Sequence, residues 1–190
     1  MNTKHIIQKC KENNYSAQLE VYNSYKNMMF GAALRILKNR EEAEDIVQDS
    51  FIKGFEKIHQ LQDDANLGGW LKRIVVNKSL DIVRNKTKIV FTDDILVLEN
   101  EPETVDEIEP NVSIDFIKEC INKLKEKYSI ILVLYMIEDY NHREIGELLG
   151  INVSTVRNQY KRGKGILLKM LQRMIRPKRI SFAIISKVAK

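Results

Sequence analysis

The sequence predicts an all-α protein: two small helical domains joined by a flexible acidic linker, the second domain containing a helix-turn-helix. Three observations point there. Apolar residues recur at helical spacing over most of the 190 residues, and there are only eight glycines and three prolines. Such scarcity favours helices joined by short turns over a strand-and-turn fold. One segment breaks the pattern. TDDILVLENEPETVDEIEP (92–110) holds eight acids, no base and two of the prolines. Like charges repel and proline blocks helix propagation, so this is linker composition.

The elements follow in order. The first fifteen residues hold no apolar run long enough for a signal peptide. Tyr22, Tyr25, Met29, Ala32 and Ile36 step by 3, 4, 3 and 4, which predicts a helix ending near 38–40. A second helix begins at Glu41, with Ala43, Ile46, Val47, Phe51, Phe55 and Ile58 on one face. HQLQDDANLGG (59–69) reads as a polar loop. WLKRIVVNKSLDIVRNK (70–86) is again helical through Leu71, Ile74, Val75 and Ile82, with basic residues on its other sides. Residues 1–86 are expected to form one domain, 87–112 the linker, 113–175 a second domain of four helices, and 176–190 a basic tail. Within the second domain YSIILVLYMI (128–137) is about half a membrane span and reads as a buried helix. The tail either extends the last helix beyond Pro177 or frays.

Charge is unevenly distributed. The chain carries +5 overall; removing the eight linker acids leaves +13 on the rest. Yet EEAEDIVQDSFIKGFEKI (41–58) has five acids and no base in its first ten residues. On a helical wheel Asp45, Gln48, Asp49 and Glu56 share an outward sector with Ile52, away from Val47, Phe51 and Phe55. An isoleucine amid acids suits a contact with a basic protein surface; single exposed apolar residues are also ordinary.

HREIGELLGINVSTVRNQYKRGKGILLKML (142–171) reads as a helix-turn-helix. Ile145, Leu148 and Leu149 form the inner face of a short helix, Gly150 occupies the left-handed C′ position, Ile151 plugs the turn, and Ser154 or Asn152 caps the next helix. Val156, Tyr160, Ile166 and Leu167 continue the core face. Ser154, Thr155, Arg157, Asn158, Gln159, Lys161 and Arg162 are expected to face outward. Arg, Asn and Gln suit bidentate contacts to base edges in a DNA major groove, and Lys and Arg neutralise phosphates. A second mixture of aromatic, basic and amide side chains lies at Trp70, Lys72, Arg73, Asn77 and Lys78. It fits base stacking and phosphate contact, and equally a core tryptophan beside solvated lysines.

Cys10 and Cys120 lie far apart, no CxxC occurs, and no histidine stands at metal-ligand spacing from them. Free thiols in a reducing, cytoplasmic setting are expected, with no metal and no cofactor.

AEDIVQDSF, then WLKRIVVNKSLDIVR, then an acidic linker, then EIGELLGINVSTVR, occur in the order of the extracytoplasmic-function (ECF) sigma factors of bacterial RNA polymerase, which the chain resembles over about 15–172. The resemblance implies that 1–86 is a region-2 domain and 113–175 a region-4 domain. It implies that Asp45, Gln48 and Asp49 dock on the polymerase β′ coiled coil; the helical wheel adds Ile52 and Glu56 to the same patch. Residues 61–84 would open the −10 element, with Trp70, Lys72, Arg73, Asn77 and Lys78 nearest the DNA. Residues 154–162 would read the −35 element. Core polymerase, through its β′ coiled coil and β flap, promoter DNA and an anti-sigma factor, membrane-anchored for many relatives, are the implied partners. The implied activity is promoter recognition, not catalysis. Two departures stand out: LKEKY (124–128) lacks a proline common in the family, and INVSTV lacks a glycine. Two other readings fit parts of the sequence. An ordinary helix-turn-helix regulator would bind operators without polymerase. A nucleic-acid enzyme would require grouped carboxylates or a nucleophile–base pair.

Overall fold

In the computed structural model, residues 3–62, 65–86 and 113–188 are described, with side chains described up to residue 173. Eight α-helices and one 3-10 turn (Ile58–Gln60) make up the described secondary structure, without a strand among the described residues. The chain divides into two units, Met1–Lys88 and Ile89–Lys190. The acidic segment 92–110, and with it the expected linker 87–112, lies outside the described residues.

The first unit contains α1 (Thr3–Lys11), α2 (Tyr15–Leu37), α3 (Arg40–Lys57) and α4 (Leu67–Lys86). Each start has a local cause. The Asn14 carboxamide accepts from the Ala17 amide at 3.0 Å, opening α2. Asn39 does the same for Glu42 at 3.3 Å, opening α3, whose first turn carries Glu41 and Glu42 at the positive end of the helix dipole. Lys38, in left-handed conformation at φ 55°, ends α2 and turns the chain between them.

α2, α3 and α4 pack on one another in all three pairings, and α1 lies on α2 and the 3-10 turn. The α4 helix begins at Leu67, three residues before the expected start. Asn66 accepts from the Gly69 amide at 2.9 Å, and Gly68 is buried so close to Tyr25 that a Cβ there would lie 2.7 Å from Cε1. A glycine pair that reads as loop is thus the place where α4 meets α2. The α1 helix, unforeseen in the sequence, buries Ile6, Ile7 and Cys10. Both cysteines are free and buried, and burial, then Glu20, pushes the Cys10 thiol up.

The second unit contains α5 (Ile114–Asn122), α6 (Glu126–Met136), α7 (His142–Leu149) and α8 (Val153–Val188). Tyr128 to Leu134 of α6 are all buried, which places this apolar helix at the centre of the unit, packed against α5, α7 and α8. The α8 helix runs through Pro177, so the tail extends the helix rather than fraying. Where the family often has proline, Lys125 precedes α6 with φ −53°, a value that proline's ring also imposes.

Two glycines of this unit have opposite roles. Gly150 ends α7 at φ 67°, ψ 33°, while Gly165 lies within α8; no atom approaches within 4 Å of a Cβ built at either. Space is not limiting, so backbone conformation decides. Gly150→Ala should cost about 1 kcal/mol of stability through the left-handed penalty, and Gly165→Ala should add about 0.5–1 kcal/mol. Urea unfolding followed by circular dichroism reads both shifts, and equal signs would contradict this account.

Candidate functional site

The acidic helix presents the expected stripe. Asp45, Gln48, Asp49, Ile52 and Glu56 are all exposed, Ile52 to 60%. Their spacing of 3, 1, 3 and 4 keeps them within one narrow sector. Several α3 acids already have cations: Arg40 pairs with Glu44 at 2.9 Å, Lys53 with Glu56 at 3.0 Å, and Lys78 of α4 with Asp49 at 3.4 Å. Glu42 pairs with Lys86 of α4. Beside the stripe lies a groove of about 330 Å³ between α2 and α3, lined by Tyr22, Lys26, Asn27, Phe30, Arg40 and Gln48 among others. The share of α2 in this surface was not read from sequence. Tyr22 is half-buried there, its ring 4.8 Å from that of Phe51.

Of the five α4 residues, the structure aligns three. Trp70 (half-buried), Arg73 and Asn77 (both exposed) follow at spacings of 3 and 4 along one side, and Arg84 continues that side. Lys72 does not join them. It falls in the sector of Gly68, Val75 and Ser79, all buried, and is itself half-buried, because the sector faces the rest of the bundle. Lys78 is turned to the α3 seam, where Asp49 holds it. Arg84 is paired with Asp81 at 2.9 Å.

The helix-turn-helix forms with a stronger start than foreseen. Asn141 accepts from the Arg143 and Glu144 amides at 3.0 and 3.1 Å, while the Glu144 carboxylate accepts from the Asn141 amide at 2.8 Å, a reciprocal capping box. Gly150 donates to the Gly146 carbonyl, and so does the Ile151 amide at 3.0 Å. Of the two candidate caps for α8, Asn152 takes the role: its side-chain oxygen accepts from the Ser154 amide at 3.0 Å and the Ser154 hydroxyl at 3.1 Å.

The outward face of α8 is narrower than its polarity suggests. Ser154, Arg157, Asn158 and Lys161 are exposed and Arg162 is half-exposed. Thr155 and Gln159, expected outward, are buried at 5% and 1% exposure. They share the i, i+4, i+8 sector with Gly163, and that sector, with Val156, packs against the rest of the unit; Gly163 abuts Tyr128 and Leu132 of α6. Ile166, expected in the core, is 40% exposed, while Leu167 and Leu171 hold the inner register.

An aromatic cluster braces this helix. The His142 ring stacks on Tyr135 at 4.6 Å and meets Tyr160 of α8 edge-on at 5.2 Å, with Tyr135 and Tyr160 4.6 Å apart. Burial, then the Arg157 guanidinium, holds the His142 imidazole below its ordinary value of 6.5; burial, then Tyr135, pushes the Tyr160 phenol up.

Among the described residues no group of three or more His, Cys, Asp or Glu is placed to hold a metal, and no helix is long and apolar enough to cross a membrane.

This pairing of helical units has counterparts among transcription initiation factors. Residues 21–89 match Sigma-70 region 2, and residues 117–167 match Sigma-70, region 4. The ECF RNA polymerase sigma factor SigW of Bacillus subtilis is 32% identical over 184 residues, covering 90% of this chain and 98% of that protein. The ECF RNA polymerase sigma factor SigE of Mycolicibacterium smegmatis is 28% identical, covering 76% of this chain and 58% of that protein. In fold, the chain is similar to CnrH solved with the cytosolic domain of CnrY, with a TM-score of 0.55 at 17% identity, covering 91% of this chain and 99% of that one. It is similar also to the sigma factor RpoE of Bartonella quintana solved with the anti-sigma factor NepR, with a TM-score of 0.53 at 18% identity, covering 80% and 95%. The chain belongs to the ECF sigma factors of RNA polymerase.

The state of His142 has a measurable consequence. Its folded pKa lies below the unfolded one, so the unfolded chain takes up the proton first as pH falls. Stability from this residue is therefore complete above about pH 6.5 and is lost as pH drops below it. Urea midpoints taken between about pH 7.5 and 5.5 should fall less steeply for His142→Phe than for the parent chain; parallel curves would contradict the assignment.

Proposed function

We propose that this sigma factor lends core RNA polymerase its promoter specificity through three separate faces, acting by binding and not by catalysis. The unit over 1–86 acts as region 2 and that over 113–175 as region 4, with 87–112 as the tether. The stripe Asp45, Gln48, Asp49, Ile52 and Glu56 docks on the β′ coiled coil of core polymerase. Trp70, Arg73 and Asn77 meet the −10 element together with the loop before them, and Lys78 lies beside that contact. Ser154, Arg157, Asn158 and Lys161 read the −35 element, flanked by Arg162. Thr155 and Gln159 set the position of that helix from within, and the β flap receives the second unit. An anti-sigma factor holds the protein inactive in the cytoplasm until a signal arrives.

The observation that carries this reading is the sorting of exposed side chains by helix. Acids, one amide and one isoleucine share the α3 stripe, whereas an aromatic, arginines, amides and lysine share the outward faces of α4 and α8. The first chemistry suits a basic protein surface and the second suits phosphates and base edges.

Run-off transcription with purified core polymerase on genomic promoter fragments tests it. The parent protein should direct initiation from discrete sites. Asp45→Lys with Asp49→Lys should weaken core binding by about tenfold or more with helical content unchanged. Arg157→Ala with Asn158→Ala should retain core binding and lose −35 discrimination, about 1–3 kcal/mol for each base-reading contact removed. Absence of specific initiation together with absence of core binding sinks the reading.

A further inference from the structure

The α3 and α4 helices are tied across their seam by two ion pairs. Lys78 of α4 reaches Asp49 of α3 at 3.4 Å, and Lys86 reaches Glu42. The rungs lie seven residues apart on α3 and eight on α4, about two helical turns in antiparallel sense. They differ in which partner is covered. At the Glu42 rung the acid is the less exposed partner, 29% against 56%; at the Asp49 rung the acid is open at 63% and the lysine is at 29%. Asp49 is also a member of the exposed α3 stripe. Its carboxylate is thus available from outside while it holds a lysine on its inner side.

We propose that the Asp49–Lys78 pair links the two binding events, so that engagement of Asp49 by polymerase releases the charge of Lys78 for DNA. This rests on the reading that α3 docks on a basic polymerase surface and α4 faces DNA. In the free protein a full negative charge sits 3.4 Å from the Lys78 ammonium. A phosphate approaching Lys78 meets that dipole and not a free cation. A polymerase cation placed on Asp49 neutralises the carboxylate, whether or not the lysine lets go, and the field around Lys78 becomes positive. The free factor therefore binds DNA weakly and the assembled one more tightly. By linkage, DNA on Lys78 strengthens the hold of Asp49 on polymerase by the same factor. An exposed pair of this kind is worth about a two- to fivefold change in affinity. Asp49 is in this sense a positioning residue for Lys78, acting on DNA without touching it.

The test uses the full chain, a mixed-sequence single-stranded oligonucleotide as probe, and fluorescence anisotropy at low salt, where screening is weakest. Asp49→Asn in the free protein should tighten binding by about two- to fivefold, and adding Lys78→Gln should cut that gain to what the loss of any one acid from this helix gives. Glu41→Gln removes one negative charge from the same helix, and its smaller gain measures the general effect of net charge. The proposal is overturned if Asp49→Asn gains no more than Glu41→Gln, or if its excess over Glu41→Gln survives Lys78→Gln. Two further affinities separate this failure from failure of the underlying reading. If Asp49→Asn leaves core binding unchanged and Lys78→Gln leaves holoenzyme binding to forked promoter DNA unchanged, the docking and DNA assignments fail, and the link with them. If each weakens its own partner while the free-protein cycle is additive, the assignments stand and only the link falls.

Discussion

The close approach of α4 to its two neighbours governs the first unit. At Gly68 a Cβ would stand 2.7 Å from the Tyr25 ring, and at Gly54 of α3 it would stand 2.9 Å from Leu71 Cδ2. Ser50 and Ser79, buried in the same helices, turn their hydroxyls onto the carbonyls four residues back, at 2.6 and 2.8 Å, so neither carries a polar debt into the core. Small residues at these points let Leu71, Val75, Val76, Leu80 and Val83 pack at interior density. With that much of α4 committed inward, a narrow outward strip remains, and it carries Trp70, Arg73 and Asn77. The same packing turns the other side of α3 outward with its acids. Both faces are consequences of one core.

In the second unit the corresponding constraint is the turn between α7 and α8. Gly150 takes the conformation that other residues resist, the Asn141–Glu144 box fixes where α7 begins, and Asn152 fixes where α8 begins. These set the rotation of α8, which decides which of its polar residues meet solvent. Buried Thr155 and Gln159 belong to that rotation as much as Val156 and Leu167 do. The Tyr135–His142–Tyr160 cluster adds a second brace beside Arg157.

The helices over 15–37 and 40–57 were legible from their long apolar periodicities, and that over 126–136 from its unbroken apolar run, which only a buried helix accommodates. Less was legible where tertiary context overrides local preference. Leu67, Gly68 and Gly69 read as loop from their glycines, but Tyr25 needs that absence of side chain. The α1 helix offers only Ile6, Ile7 and Cys10 to bury, too few to stand out in a polar stretch. Polarity misled at Thr155 and Gln159, since a helix can turn a polar side chain inward when its register requires it. Conversely the α3 stripe was readable from spacing, because five exposed residues with one isoleucine among them keep a single sector. The partnership of α2 in that surface was not, because a groove between helices has no signature along one of them.

On the proposed function, one chain shows chemically distinct faces to protein and to DNA. Photo-crosslinking in an assembled polymerase–promoter complex addresses it most directly, with a reactive residue placed singly at Gln48, Asn77 and Asn158. Crosslinks are expected from Gln48 to a polymerase subunit and from Asn77 and Asn158 to DNA. Crosslinks from Gln48 to DNA, or from Asn77 and Asn158 to polymerase alone, would contradict it.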